Sequence, residues 1–293
     1  MFAITGITGQ VGGALARALL AQGKPVRAVV RDAAKAARWT EAGCATALAD
    51  MNDATGMAAA FSGCEGVFIL LPPNFDPSPG FQESRAIIAA IREALLQARP
   101  ARVVVLSTVG AQAHQQSLLT QLSLLEQALA DLPLPVSFLR PGWFMENLQW
   151  DIAAARETGE ITSYLRPLDR AIPMVSAEDV GRAAAELLLD SWTSHRVVEL
   201  EGPQRVSPLD IAKALSERLG RPVRAIAAPR ADWEANFRAQ GMRNPLPRMQ
   251  MLEGFNEGWM SFEGTPRQGV IDLDEVVRRL IEAQRAAQSQ AVA

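Results

Sequence analysis

The stretch Phe2-Ala3-Ile4-Thr5-Gly6-Ile7-Thr8-Gly9-Gln10-Val11-Gly12-Gly13 decides how the rest of this chain is read. A short apolar run, long enough for a buried strand, enters a turn with glycine at every third position. A helical pattern follows from Val11 to Gln22, with Gly23 as its stop. Each glycine has its own task in such a junction. Gly6 permits the tight turn, Gly9 lets the backbone approach a pyrophosphate, and Gly12 lets the helix pack closely on the strand. The N–H groups around Thr8, Gln10 and Val11 then face the phosphates at the positive end of the helix. An ordinary strand-to-helix turn can also carry glycines. Here the triplet ends the first strand and precedes a second, which favours dinucleotide binding.

That second strand, residues 26–30, ends on Arg31, about 20 residues past the glycines, where an acid would grip the ribose 2′-hydroxyl of NAD. An arginine there pairs instead with the 2′-phosphate of NADP, and Lys35, one helical turn on, adds a second charge. The expected cofactor is therefore NADP(H) ahead of NAD. The competing reading is a solvated Arg31 paired with the adjacent Asp32.

Short apolar runs keep alternating with longer amphipathic ones, the signature of βαβ units building a parallel sheet. Strands are expected at residues 2–5, 26–30, 45–48, 67–71, 103–106 and 136–139, and helices at 11–22, 33–41, 54–61, 82–97 and 118–130. The fold class is α/β, a doubly wound Rossmann-type sheet. After Arg140 the alternation loosens. Ser176 and Ser207 read as helix N-caps with an acid three residues on, and residues 197–200 as a further strand joining the sheet. Residues 231–269 show no clean period. A last helix spans about 273–284, with the Ala/Gln tail beyond it frayed. The expected division is a dinucleotide domain of residues 1–145 with about 171–200. A smaller C-terminal α/β substrate or partner domain takes about 146–170 with 201–293.

Composition removes several classes. With 293 residues there is room for one large unit or two modest ones. A net charge of −3 (29 basic, 32 acidic) points to no nucleic-acid or membrane partner. No apolar run reaches the ~18 to 20 residues of a membrane span, and no leader pattern precedes the first strand, so a soluble, unprocessed, cytoplasmic protein is expected. Two cysteines, Cys44 and Cys64, and two distant histidines, His114 and His195, supply neither a disulfide framework nor a metal site. Acid–base groups are scarce too: one tyrosine, Tyr164, and three lysines, Lys24, Lys35 and Lys213.

Four segments together resemble the NmrA-like family of atypical short-chain dehydrogenase/reductases. They are the glycine loop, the Val29-Val30-Arg31 strand end, Leu139-Arg140-Pro141-Gly142-Trp143-Phe144-Met145-Glu146-Asn147, and Ile172-Pro173-Met174-Val175 ahead of Asp179-Val180-Gly181. The likeness runs to about Gly220. It implies that Asp50 and Met51 lie by the adenine and that Leu71 and Pro72 flank the middle of the cofactor. It further implies that Ser107 and Thr108 approach the nicotinamide ribose, and Pro141, Gly142 and Phe144 the nicotinamide. Relatives that oxidise alcohols carry Tyr-x-x-x-Lys on the helix after the fifth strand. By alignment those positions are Leu118 and Leu122, and this chain has no lysine between Lys35 and Lys213.

Hydride transfer without that pair needs an acceptor electrophilic enough to take its proton from water, such as a quinone, an azo compound or a cationic conjugated dye. A small apolar or aromatic electron acceptor is thus the expected partner. Trp143, Phe144, Met145, Met174, Met242, Met249, Met251, Phe255, Trp259 and Phe262 are candidates to line its slot, or else form the core of the C-terminal part. His114 is the one candidate proton donor, with a solvent-exposed loop histidine as the alternative. The loop 72–80 is either a lid or a rigid crossover. The missing pair equally suits a non-catalytic NAD(P)(H) sensor that acts through a regulatory protein partner, and a homodimer stays open.

Overall fold

The computed structural model describes residues 1–292. Each early strand leads through a turn into a helix. The first half runs β1 (Phe2–Ile4), α1 (Gln10–Ala21), β2 (Val26–Val30), α2 (Ala33–Glu41), β3 (Ala45–Leu48), α3 (Ala54–Phe61), β4 (Gly66–Leu70), α4 (Gln82–Ala98), β5 (Arg102–Leu106), α5 (Thr120–Leu129) and β6 (Val136–Pro141). The second half is more irregular: β7 (Trp143–Phe144), α6 (Ile152–Glu157), β8 (Glu160–Ser163), β9 (Met174–Val175), α7 (Ala177–Leu189), β10 (Arg196–Glu201), α8 (Pro208–Leu219), β11 (Arg224–Ala227), α9 (Trp233–Ala239), α10 (Leu246–Glu257), β12 (Arg267–Gln268) and α11 (Leu273–Val292).

Eight strands form one parallel sheet in the order β12-β10-β6-β5-β4-β1-β2-β3. Alternate strand residues bury on opposite faces, as the two-residue period requires. Phe2, Ile4, Phe68 and Val104 pack with α1 and α7, whereas Ala3, Val67, Ile69 and Val103 pack with α3, α4 and α5. The chain winds one way from β1 through β2 to β3, then returns to place β4 on the other side of β1. That reversal opens a crevice at the carboxyl ends of β1 and β4, where open α/β sheets bind ligands.

The later elements surround a separate apolar cluster that includes the fully buried Trp233 and Phe237. Two carboxylates join them to the sheet layer. Asp179 in α7 accepts from the N–H groups of Val270 and Ile271 at 3.0 and 2.9 Å, fixing the chain just ahead of α11. Glu146 accepts from Ala177 N at 2.9 Å, at the positive end of α7. Ser176 and Ser207 cap α7 and α8 as expected.

Three expectations are corrected. The helix after β5 begins at Thr120, and Leu118 lies ahead of it with its N–H bonded to the Pro247 carbonyl at 2.8 Å. The last helix extends past Gln284 to Val292. Residues 231–269, which show no period, hold α9, α10 and β12, and β12 extends the sheet beside β10.

Candidate dinucleotide and acceptor site

The glycine loop has the geometry its spacing demands. Gly6 sits at φ 64°, a left-handed conformation that side chains rarely adopt. A Cβ on Gly12 would stand 2.3 Å from the Gly6 carbonyl oxygen, so only glycine lets α1 start this close to the turn. Thr8, Gly9 and Gln10 are exposed. The start of α1 has neither a side-chain cap nor an acid in its first turn. By contrast Asp32 caps α2 and Asp53 caps α3. The first N–H groups of α1 are thus left for an anion, the arrangement a pyrophosphate fits.

The other expected residues follow along the same sheet edge in strand order. Arg31 directly follows β2 and is exposed. It makes no ion pair with Asp32, whose carboxylate instead accepts from Ala34 N at 2.9 Å. Lys35, also exposed, lies in the first turn of α2 beside it. Asp50 and Met51 follow β3 and are half-buried. The Asn52 backbone N–H and side-chain amide hold the Asp50 carboxyl below its ordinary range, with a smaller pull from Arg31. Leu71 and Pro72 follow β4, Ser107 and Thr108 follow β5, and Pro141, Gly142 and Phe144 end or follow β6. Thr5 locks the turn to the end of β4: its hydroxyl donates to Phe68 O at 3.1 Å and accepts from Leu70 N at 2.9 Å. A cavity of about 360 Å³ opens beside the loop between α1, the start of α7 and α11.

On the acceptor side, Leu118 is buried and Leu122 half-buried, both among apolar neighbours. His114 is exposed. The 72–80 loop is tied to α5 and across to the C-terminal elements. Asp76 accepts from Arg243 N and Asn244 N at 3.1 and 2.7 Å, and Gln121 Nε2 donates to Asn74 O at 3.0 Å. Of the expected slot residues, Met145, Met174, Met249, Met251 and Phe255 are buried in the packed C-terminal cluster, so they serve as core. Trp143, Met242, Trp259 and Phe262 are only half-buried against it.

An ionic network, buried at Arg140, Glu126 and Glu199 and open to solvent at Glu263, escaped sequence reading. Arg140, 5% exposed, donates from Nε and Nη2 to Glu126 at 2.9 and 2.6 Å, and from Nη1 to Glu263 at 2.5 Å. Burial pulls its guanidinium downward, but the two carboxylates outweigh this and hold it above its ordinary value. Ser107 Oγ donates to the same Glu126. Glu199 accepts from Glu263 N and Gly264 N at 2.9 and 2.8 Å. The participants come from the end of β5, α5, β6, β10 and the 258–266 loop, and no local signal could have joined them. The network also explains part of the Arg140–Asn147 motif. Arg140 anchors it, Gly142 leaves room for the Pro173 carbonyl, 2.6 Å from where a Cβ would stand, and Glu146 holds α7.

A parallel sheet with an uncapped glycine loop at its switch point defines a Rossmann-type dinucleotide-binding protein. The chain belongs to the NmrA-like family, which matches it over residues 1–270. It is 29% identical over 247 residues to an NAD(P)H azoreductase of Xenophilus azovorans, covering 84% of this chain and 83% of that one. It is 26% identical over 251 residues to quinone oxidoreductase 2 of Escherichia coli, covering 85% of each. The crystal structure of an NADPH-dependent quinone oxidoreductase from Escherichia coli, complexed with NADPH, superposes with a TM-score of 0.80 at 24% identity, over 96% of this chain and 100% of that one.

Proposed function

We propose that this protein is an NADPH-dependent reductase that delivers hydride to a flat, electrophilic apolar acceptor such as a quinone or an azo compound. One contrast along the carboxyl edge carries the reading. Where phosphates would lie there is an uncapped helix start with Arg31 and Lys35 exposed and in no ion pair among the described residues, and where a proton relay would stand there are Leu118 and Leu122. The azoreductase and quinone oxidoreductase among its relatives support the same acceptor class.

In this reading the turn shaped by Gly6, Gly9 and Gly12 offers the N–H groups near Thr8, Gln10 and Val11 to the pyrophosphate. Arg31 and Lys35 grip the 2′-phosphate, and charge-assisted bonds of that kind contribute about 1.5–3 kcal/mol each. Asp50 and Met51 border the adenine, Leu71 and Pro72 the centre, Ser107 and Thr108 the ribose, and Pro141, Gly142 and Phe144 the nicotinamide. When bound, NADPH supplies two electrons as hydride, and one proton from water completes reduction of a quinone to its hydroquinone. The protein contributes position and a dry apolar surface. We assign the cofactor to residues 1–145 with about 171–200, and the acceptor wall to the remainder.

The test is to hold the protein with NADPH and follow the nicotinamide absorbance against a panel of quinones and azo dyes. Turnover that saturates in acceptor is expected. Tight NADPH binding with no acceptor reduced would contradict the reductase and leave a cofactor-binding regulator.

A further inference from the structure

Tyr164, Trp233 and Phe237 form one aromatic group in the C-terminal elements. Tyr164 stacks on Phe237 with centroids 4.8 Å apart and meets Trp233 edge-on at 5.5 Å. Three arginines lie over these rings: Arg166 and Arg230 over Trp233, and Arg248 over Phe237 at 4.7 Å from its centroid. Arg230 has a counter-ion in Glu253, and Arg166 is exposed to water.

Arg248 has neither advantage. It is half-buried, reaches only the Met242 sulfur at 3.8 Å, and makes no ion pair among the described residues. Burial lowers its guanidinium from the ordinary value. It also stands in the first turn of α10, where the helix dipole is already positive and no acid offsets it. All three costs reverse if an anion binds. The backbone around it is tied to both sides of the crevice. The adjacent Pro247 carbonyl accepts from Leu118 N on the β5 side of the crevice, and Asp76 from the β4 side holds the backbone at Arg243 and Asn244.

We propose that Arg248 is a specificity-determining residue that anchors an anionic oxygen group, a carboxylate or sulfonate, carried by the aromatic acceptor. The planar guanidinium takes such groups through two parallel bonds, while Phe237 beneath keeps it flat and partly dry. The proposal rests on the reductase reading of the same crevice, so its test includes binding without turnover.

Calorimetry on the NADPH-saturated protein compares a naphthalene sulfonate with a neutral naphthol. The sulfonate is expected to bind the wild type more tightly, less so as salt rises, and its Kd to rise about tenfold in R248Q and R248M. The naphthol should shift far less. R248K, which keeps the charge without the fork, should fall between, and it carries the comparison if the other variants do not fold. In turnover, the kcat/KM ratio of a naphthoquinone sulfonate to its parent quinone should fall about tenfold in R248Q. Equal losses for both ligands, or sulfonate binding indifferent to Arg248, overturns the proposal. Reduction of neutral quinones with no sulfonate preference overturns it while the reductase reading stands. Sulfonate binding that depends on Arg248, with no acceptor reduced, upholds the anion site and defeats that reading.

Discussion

Arg31 and Arg140 both stand near the carboxyl edge of the sheet, at the end of β2 and within β6, yet their surroundings are opposite. Arg140 is buried and held by Glu126 and Glu263, and the acids come from separate elements. Arg31 is exposed and its nearest sequence neighbour, Asp32, is occupied in capping α2. Charge satisfied inside the protein is architecture, because a buried pair broken on one side leaves an uncompensated ion. Charge left without a partner beside an uncapped helix start is available to a ligand. On the function proposed above, the carboxyl ends of β1 and β2 receive the phosphates of the cofactor, and those of β5, β6 and β10 are held fixed by the Arg140 network.

Four substitutions probe this contrast, from the largest expected effect to the smallest. Gly12→Val drives a side chain into the Gly6 carbonyl, so the turn must open. NADPH binding should vanish in calorimetry, and detectable binding would show that the loop is not the cradle. Glu126→Leu leaves Arg140 short of its main acid and should lower urea-unfolding stability by about 3–5 kcal/mol, with much of that regained when Arg140→Met is added. An additive double variant would mean that the pair does not act as a unit.

Arg31→Ala should weaken NADPH by about tenfold to a hundredfold while leaving NADH nearly unchanged. Equal affinity of the wild type for the two cofactors would remove the phosphate role from Arg31. The smallest effect concerns Asp151, whose carboxyl burial pushes from 3.8 up to about 6. Its folded state favours the protonated acid. That contribution is fully present below about pH 4 and is lost as pH rises through about 6. Asp151→Asn should match the wild type near pH 4 and be more stable by about 1–2 kcal/mol near pH 8. Urea titrations at the two pH values decide it, and a gap of constant size contradicts the assignment.

Five of the first six strands were legible to within a residue or two because parallel strands buried on both faces read as unbroken apolar runs between turns, whereas β3, at the sheet edge, is largely exposed and was legible only as a short run between turns. The glycine loop was legible because its steric demand is local. Sequence left an Arg31–Asp32 pair open as the competing reading, since a side chain that caps its own helix looks, in sequence, like any neighbouring acid. β12 left no trace: Arg267 and Gln268 are both exposed, and only backbone pairing with β10 makes them a strand. α10 was hidden for another reason. Met249, Met251, Leu252, Gly254 and Phe255 bury on several sides of it, which erases the single apolar stripe of a surface helix. The unpaired state of Arg248 is likewise a property of folded surroundings, with no counterpart in spacing.

Hydride transfer itself is tested most directly by one measurement. The protein loaded with NADPH deuterated on one or the other face of the nicotinamide C4 is mixed once with a quinone under anaerobic conditions, and loss of the nicotinamide band is timed. Direct hydride transfer predicts complete loss in a single turnover, slowed by deuterium on one face only. A band that persists while NADPH stays bound, or that decays at the same rate with either label and with none, would contradict it.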